Sequence, residues 1–277
     1  MKKFGFTLAE VLITLGIIGV VAALTAPALV MQSRDQANAA KLAVTVSNLE
    51  NAFTTALSAE NVDSLFRTSI WQQGVPAGFN RNAFVGNLKR YINVSDWRDM
   101  TPANYYAAAG GAHEMTAAGG VGAVHNGAVH NGQGYDMAND WDVIIETKQG
   151  ATIIMRPFRT PSGNGSDGII GAGVPLATFA NTMASNGGGL TQRAANVMID
   201  VNGTAAPNTW GRDIFFFILS HRGILYPMGG LDTSVYMTGA GTSIWSSEGW
   251  AQCYEGHYST GLGCAGRVVA DGYRIDY

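Results

Sequence analysis

The residue most clearly placed to do chemistry in this 277-residue chain is Glu10. It is the only charged residue between Lys3 and Arg34, and Val11 to Leu24 after it is an almost wholly apolar run. A carboxylate costs roughly 2.5–3.5 kcal/mol at the centre of a bilayer-spanning segment and less near its end, so such an acid is a functional candidate that needs a partner. A second group is Asp200-Val201-Asn202-Gly203, opening a loop that closes at Gly211-Arg212-Asp213. Asp200, Asn202 and Asp213 offer hard oxygen donors of the kind calcium prefers. The same residues suit a β-turn at Asn202-Gly203 held by carboxylate hydrogen bonds, and the spacing leaves both readings open. The two cysteines, Cys253 and Cys264, are too few for a zinc site. In an exported domain they would close a small disulfide loop; in the cytoplasm they would be unrelated thiols. His113, His125 and His130 lie in a glycine-rich tract with no fixed geometry for a metal. No Gly-x-Ser-x-Gly, His-Glu-x-x-His or phosphate-binding Gly-Lys-Ser/Thr pattern occurs, and no nucleophile stands beside an evident base.

Charged residues make up 13% of the chain and glycines number 36, which suits an exported, loop-rich β domain better than a cytosolic enzyme. The net charge of −3 gives no broad basic footprint, so nucleic acid is not an expected partner. The apolar run is long enough to cross a bilayer. Lys2 and Lys3 before it keep the N-terminus cytoplasmic and place the rest of the chain outside. A secretory signal peptide cut near Ala23 or Ala26 is the competing reading, but it leaves Glu10 unexplained.

The order Lys2-Lys3-Phe4-Gly5, then Phe6-Thr7-Leu8-Ala9-Glu10 and the apolar run, resembles the processing signal of type IV prepilins and type II secretion pseudopilins. The resemblance covers Met1 to about Val30. It implies that a prepilin peptidase cuts between Gly5 and Phe6 on the cytoplasmic side and N-methylates Phe6. Glu10, the fifth residue after that cut, matches the family's acidic residue. It would neutralise the new amine of a neighbouring subunit, so that leaving it unpaired in low dielectric penalises misassembly. Pro27 falls where many such pilins carry a helix-bending proline. Ala9 departs from the larger aliphatic residue common there. The Asp200 loop, with Pro207-Asn208 and Gly211-x-Asp213-x-Phe215, resembles a loop of some pseudopilins. Some major pseudopilins bind calcium near their C-terminal loops, so calcium is the one implied cofactor. The C-terminal cysteine pair resembles the disulfide-bounded region of many pilins.

The expected fold is α+β and pilin-like: a long N-terminal helix packed on a C-terminal antiparallel sheet. The expected division is a leader at 1–5, a membrane and filament-core helix at 6–33, its amphipathic continuation at 34–60, and a globular domain at 61–277. Leu42, Val46, Leu49, Phe53 and Ala56 form one helical stripe, extending the helix from Phe6 to about Leu57. Gly16, Gly19 and Pro27 are candidate points of bending. A short helix is expected between Asn80 and Val94. Strands are expected at Trp141–Thr147, Ala151–Arg156, Ala195–Val201, Asp213–Leu219 and Gly223–Pro227, with a last strand pair around Asp271-Gly272. Residues 109–134, which repeat Gly-Ala-Val-His-Asn, and 161–190 are expected as glycine-rich loops. Trp245, Trp250, Tyr254 and Tyr258 are expected as core in preference to an exposed contact surface.

The function implied is a prepilin-type subunit of a type II secretion pseudopilus or type IV pilus-like filament. The Asp200 loop leans towards the secretion system, and the chain length towards a minor or specialised subunit. The implied partners are other such subunits, the prepilin peptidase, an inner-membrane assembly platform and membrane lipid. The implied location is the inner membrane, crossed once, and then an extracytoplasmic filament. A minor pilin that binds substrate, a surface or DNA, and a membrane-tethered enzyme, are the alternatives.

Overall fold

The computed structural model describes residues 7–74, 79–100, 102–107, 109–115, 121–125, 143–157, 193–206, 208–227, 261 and 263–275. Its first element is helix α1, Leu8–Ala59, which runs unbroken through Gly16, Gly19 and Pro27. At 1.5 Å per residue its 52 residues extend roughly 78 Å. The helix has two halves with different surroundings. In the first, none of the most apolar 18-residue window is buried, and Leu8, Leu24 and Val30 are among many exposed apolar side chains. From Asn38 onward Ala39, Leu42, Val46, Leu49, Phe53 and Ala56 are buried as the predicted stripe.

That stripe packs on a six-stranded antiparallel sheet of order β1-β4-β5-β6-β7-β8. The strands are β1 (Val94–Arg98), β4 (Val143–Thr147), β5 (Thr152–Pro157), β6 (Arg193–Asp200), β7 (Ile214–Ser220) and β8 (Leu225–Pro227). Alternation puts every second residue on the helix side. Register then lines up Ile145, Ile153, Ile199 and Phe215 as one cross-strand row inside the core. The other face is also buried at Ile144, Ile154, Met198 and Phe216. Short helix α4 (Pro102–Ala107) reaches this face, with the Tyr105 hydroxyl 3.0 Å from Thr152 Oγ1. The Trp210 ring meets Phe216 edge-on at 5.1 Å.

Helices α2 (Ser69–Gly74) and α3 (Arg81–Leu88) cover one flank of α1. Phe53, Trp71 and Phe84 form a chain of edge-on ring contacts, 6.0 and 5.3 Å between centroids. The Glu60 carboxylate, just past α1, accepts Ser69 N–H and Oγ–H, both at 2.6 Å, and fixes the start of α2. Asn80 caps α3 by accepting Ala83 N–H at 3.1 Å. Glu50 on α1 accepts Leu225 N–H at 2.9 Å, tying the edge strand β8 to the helix.

Three expectations are corrected. The tail forms helix α5, Cys264–Ala270, not a strand pair around Asp271-Gly272. Val268 and Val269 favour strands locally, but Cys264, Ala265 and Val268 make one buried helical face. Gly272, at φ +69°, ends the helix: its N–H and that of Tyr273 donate to the Val269 and Val268 carbonyls as a Schellman cap. The tract 109–134 is not loop throughout. It contains the antiparallel pair β2 (Ala112–Met115) and β3 (Val121–His125). The helix expected from Asn80 to Val94 stops at Leu88, and Val94 instead opens β1. The tract 161–190 and Trp245, Trp250, Tyr254 and Tyr258 lie outside the described residues.

Because Phe53 is fully buried at the junction of helix, sheet and flank, Phe53→Ala should destabilise the chain by about 3–5 kcal/mol. Val44, on the same helix but 52% exposed, should change stability by less than about 0.5 kcal/mol when replaced by Ala. Denaturant unfolding of the detergent-purified chain measures both. Equal effects would contradict the packing of this stripe.

Candidate functional site

At the N-terminus, Thr7 caps α1 and forms a reciprocal capping box with Glu10. The Glu10 Oε2 accepts both Thr7 N–H and Thr7 Oγ1–H at 2.8 Å, while Glu10 N–H donates to Thr7 Oγ1 at 3.3 Å. The carboxylate is thus turned back towards the start of the helix rather than outward along its side. Gly5 and Phe6 lie outside the described residues. The Thr7-x-x-Glu10 spacing is itself a capping signal in the sequence.

The second site is the loop between β6 and β7. Asp200, Asn202 and Asp213 are joined there by hydrogen bonds. Asp200 Oδ1 accepts Asn202 N–H at 3.0 Å. Asp213 Oδ2 accepts Asn208 N–H at 3.0 Å and Asn202 Nδ2–H at 3.2 Å, and its Oδ1 accepts Thr209 N–H. These are the bonds of the turn reading. One partner was not foreseen: Tyr106 of α4, whose hydroxyl donates to Asp200 Oδ2 at 2.6 Å across 94 residues of sequence. Tyr106, Asp200 and Asp213 are all fully buried.

The loop is fixed to α1 where that helix meets the domain. Arg212 Nη1 lies 2.8 Å from Asp35 Oδ2, both side chains being mostly buried, and Asn38 Nδ2–H donates to the Arg212 carbonyl at 3.3 Å. The tail closes on the same loop. A Cβ on Gly211, at φ +83°, would stand 2.7 Å from Cys264 Sγ, and one on Gly261 would overlap the Trp210 carbonyl. Only glycine permits this approach. Cys264 is fully buried at the start of α5, whereas Cys253 lies outside the described residues.

Burial, and then the charge of Asp213, push the Asp200 carboxyl well above the usual carboxylate range. Burial pushes Asp213 up to about 6, against the hydrogen bonds from Thr209, Asn202 and Asn208 and the charge of Arg34. Burial also raises Asp35, outweighing Arg212 beside it. In addition, the buried amide oxygens Oδ1 of Asn202 and Asn208 accept no hydrogen bond. The site therefore holds two desolvated acids and two unused oxygen acceptors. Among the described residues no group of three or more His, Cys, Asp or Glu could hold a metal by itself. His113 and His125 are one register step apart on β2 and β3, opposite Val124 and Ala112 respectively, and His130 lies outside the described residues.

Comparison with known proteins places the prokaryotic N-terminal methylation motif on residues 1–26. This is the prepilin-type cleavage and methylation signature of type IV pilins and pseudopilins. Together with the long helix and its antiparallel sheet it supports a pilin-like, prepilin-type subunit, and the apolar helix fits an inner-membrane anchor. No curated protein and no solved structure matches the chain.

The raised carboxyls give a signed pH dependence. A folded-state pKa above the unfolded value stabilises the fold below the unfolded value, and that stabilisation is lost as pH rises through the folded one. For Asp213, moving from 3.8 to about 6 corresponds to roughly 3 kcal/mol. In chelator, the melting temperature should therefore fall between pH 5 and pH 7, and Asp213→Asn should flatten that fall. An unchanged slope in the variant would contradict the burial of this carboxylate.

Proposed function

We propose that the chain is a subunit of a type II secretion pseudopilus or type IV pilus-like filament, released from its 1–5 leader by cleavage between Gly5 and Phe6. The carrying observation is one unbroken helix whose first half exposes its apolar side chains while its second half buries a stripe against the sheet. In this reading residues 6–33 anchor the subunit in the inner membrane and later form the filament core. Residues 34–60 join them to the globular domain at 61–277, which lies outside. The partners are further subunits, the prepilin peptidase, the assembly platform and lipid. The role is structural rather than enzymatic, and the net charge of −3 gives no broad basic footprint for nucleic acid. The loop at Asp200 favours the secretion filament.

Glu10 is the assembly residue in this reading, held by Thr7 until the amine of an adjacent Phe6 arrives. Glu10→Gln should insert in the membrane normally but enter sheared filaments at least about tenfold less, as the loss of a charge-assisted contact implies. Equal incorporation would remove Glu10 from assembly.

We further propose that Asp200, Asn202 and Asp213 hold calcium. The two desolvated acids and the unused amide oxygens of Asn202 and Asn208 are the hard donors such a cation needs. When bound, the ion would supply the positive charge that burial denies these acids. Cys253 and Cys264 close a disulfide over the same region, supported by the burial of Cys264 against the loop. Millimolar calcium should raise the melting temperature by mass action, magnesium much less, and Asp200→Ala should abolish the response. A melting curve indifferent to calcium would leave the loop as a hydrogen-bonded turn.

A further inference from the structure

A cleft of about 200 Å3 opens on the flank of α1. One wall is the helix itself, from Thr45 to Thr55; the others are Tyr91 to Asn93 after α3 and the turn between β4 and β5. Its position is far along α1 from the exposed apolar half, and it shares no lining residue with the Asp200 loop.

The lining has an unusual chemistry for a surface this polar. Apart from Ala52, Ile92 and Tyr91 it consists of threonine, asparagine and glutamine, with no side chain charged at neutral pH. Asn48, Thr55, Asn93 and Gln149 carry no side-chain hydrogen bond among the described residues. Each amide presents a carbonyl acceptor and an NH2 donor, and Thr55 can act as either. Tyr91 is partly buried, and its hydroxyl lies 3.4 Å from Glu60 Oε1. The β4–β5 turn is also pre-set: Thr147 Oγ1 accepts Ala151 N–H at 3.1 Å and Lys148 N–H donates to the Asn93 carbonyl at 3.1 Å.

From this arrangement we infer that the cleft binds a neutral saccharide unit. A charged ligand would find no counter-charge in the lining. A purely apolar one would strand the free amides without partners. A sugar ring carries hydroxyls that donate and accept in turn, matching side-chain amides, and a C–H face suited to the Tyr91 ring. The cleft is smaller than the roughly 300–1,000 Å3 of drug-sized pockets, so it takes one ring at the end of, or within, a longer chain. An extended peptide would satisfy the amides as well, but it needs an open strand edge or side-chain pockets, and β4 and β5 are paired on both sides.

The test is saturation-transfer NMR on the full chain in lipid nanodiscs prepared without sugar-headed detergents. The probes are maltose, N,N′-diacetylchitobiose and the capped dipeptide N-acetyl-Ala-Ala-amide, each at about 10 mM, above the millimolar dissociation constant typical of so few contacts. Ring protons of at least one disaccharide should receive saturation, and the dipeptide none. Asn48→Ala and Gln149→Ala, both at exposed positions that leave the fold intact, should each weaken binding about two- to tenfold, the range for one lost hydrogen bond. Tyr91→Ala should abolish the transfer. Absence of transfer to both sugars, equal transfer in all variants, or preferential transfer to the dipeptide would each overturn the inference.

Discussion

The exposure of the first half of α1 is the constraint on which the other features depend. Leu12, Ile13, Leu15, Ile17, Ile18, Val20 and Leu24 are each more than half exposed, and among the described residues no strand packs on this half of the helix. Water makes such a surface unfavourable at about 25 cal/mol per Å2, so this half needs lipid or other copies of itself around it. Its backbone is already satisfied, because a helix makes its own hydrogen bonds, and that is the condition for residing in a bilayer. Exchanging lipid for neighbouring helices leaves that backbone pattern untouched. The charged exception is Glu10, and its capping box with Thr7 satisfies the Thr7 and Glu10 N–H groups at the helix start.

A helix shared between two environments must also be fixed rigidly to the folded domain. Three polar connections do this beside the apolar stripe. Arg212 joins Asp35 and Asn38, Glu50 holds the edge strand β8, and Glu60 holds α2. The first lies at the boundary between the two halves of the helix and belongs to the Asp200–Asp213 loop. That loop thus ties the domain to the helix at the end of the apolar segment. The tail packs there too, through Gly211 and Cys264. One small region thus joins helix, sheet end, buried acids and C-terminal helix.

Much of this was legible in the sequence, and for stated reasons. The stripe from Leu42 to Ala56 follows a 3.6-residue period, and β4 to β8 appear as apolar runs between turn residues. The convergence of Asp200, Asn202 and Asp213 is local and so could be read from spacing. Tyr106 could not be, because it meets Asp200 across 94 residues, nor could Arg212, which meets Asp35 across 177. Strand β1 escaped because Ser95, Asp96 and Arg98 give an edge strand a polar composition. The tail helix is hidden in the sequence because β-branched Val268 and Val269 carry a strand preference that packing against the sheet overrides. The free amides of the cleft lie on three separate elements, so no run of sequence announces them.

The central claim, that the apolar helix is kept and begins the mature subunit, is tested most directly by intact-mass and N-terminal analysis of protein purified from membranes of cells that hold a prepilin peptidase. The account predicts a chain that begins at N-methyl-Phe6 and retains Glu10 and the whole of α1. A new N-terminus near Ala23 or Ala26 would contradict it, because the helix half on which the structure is organised would then be discarded as a signal peptide.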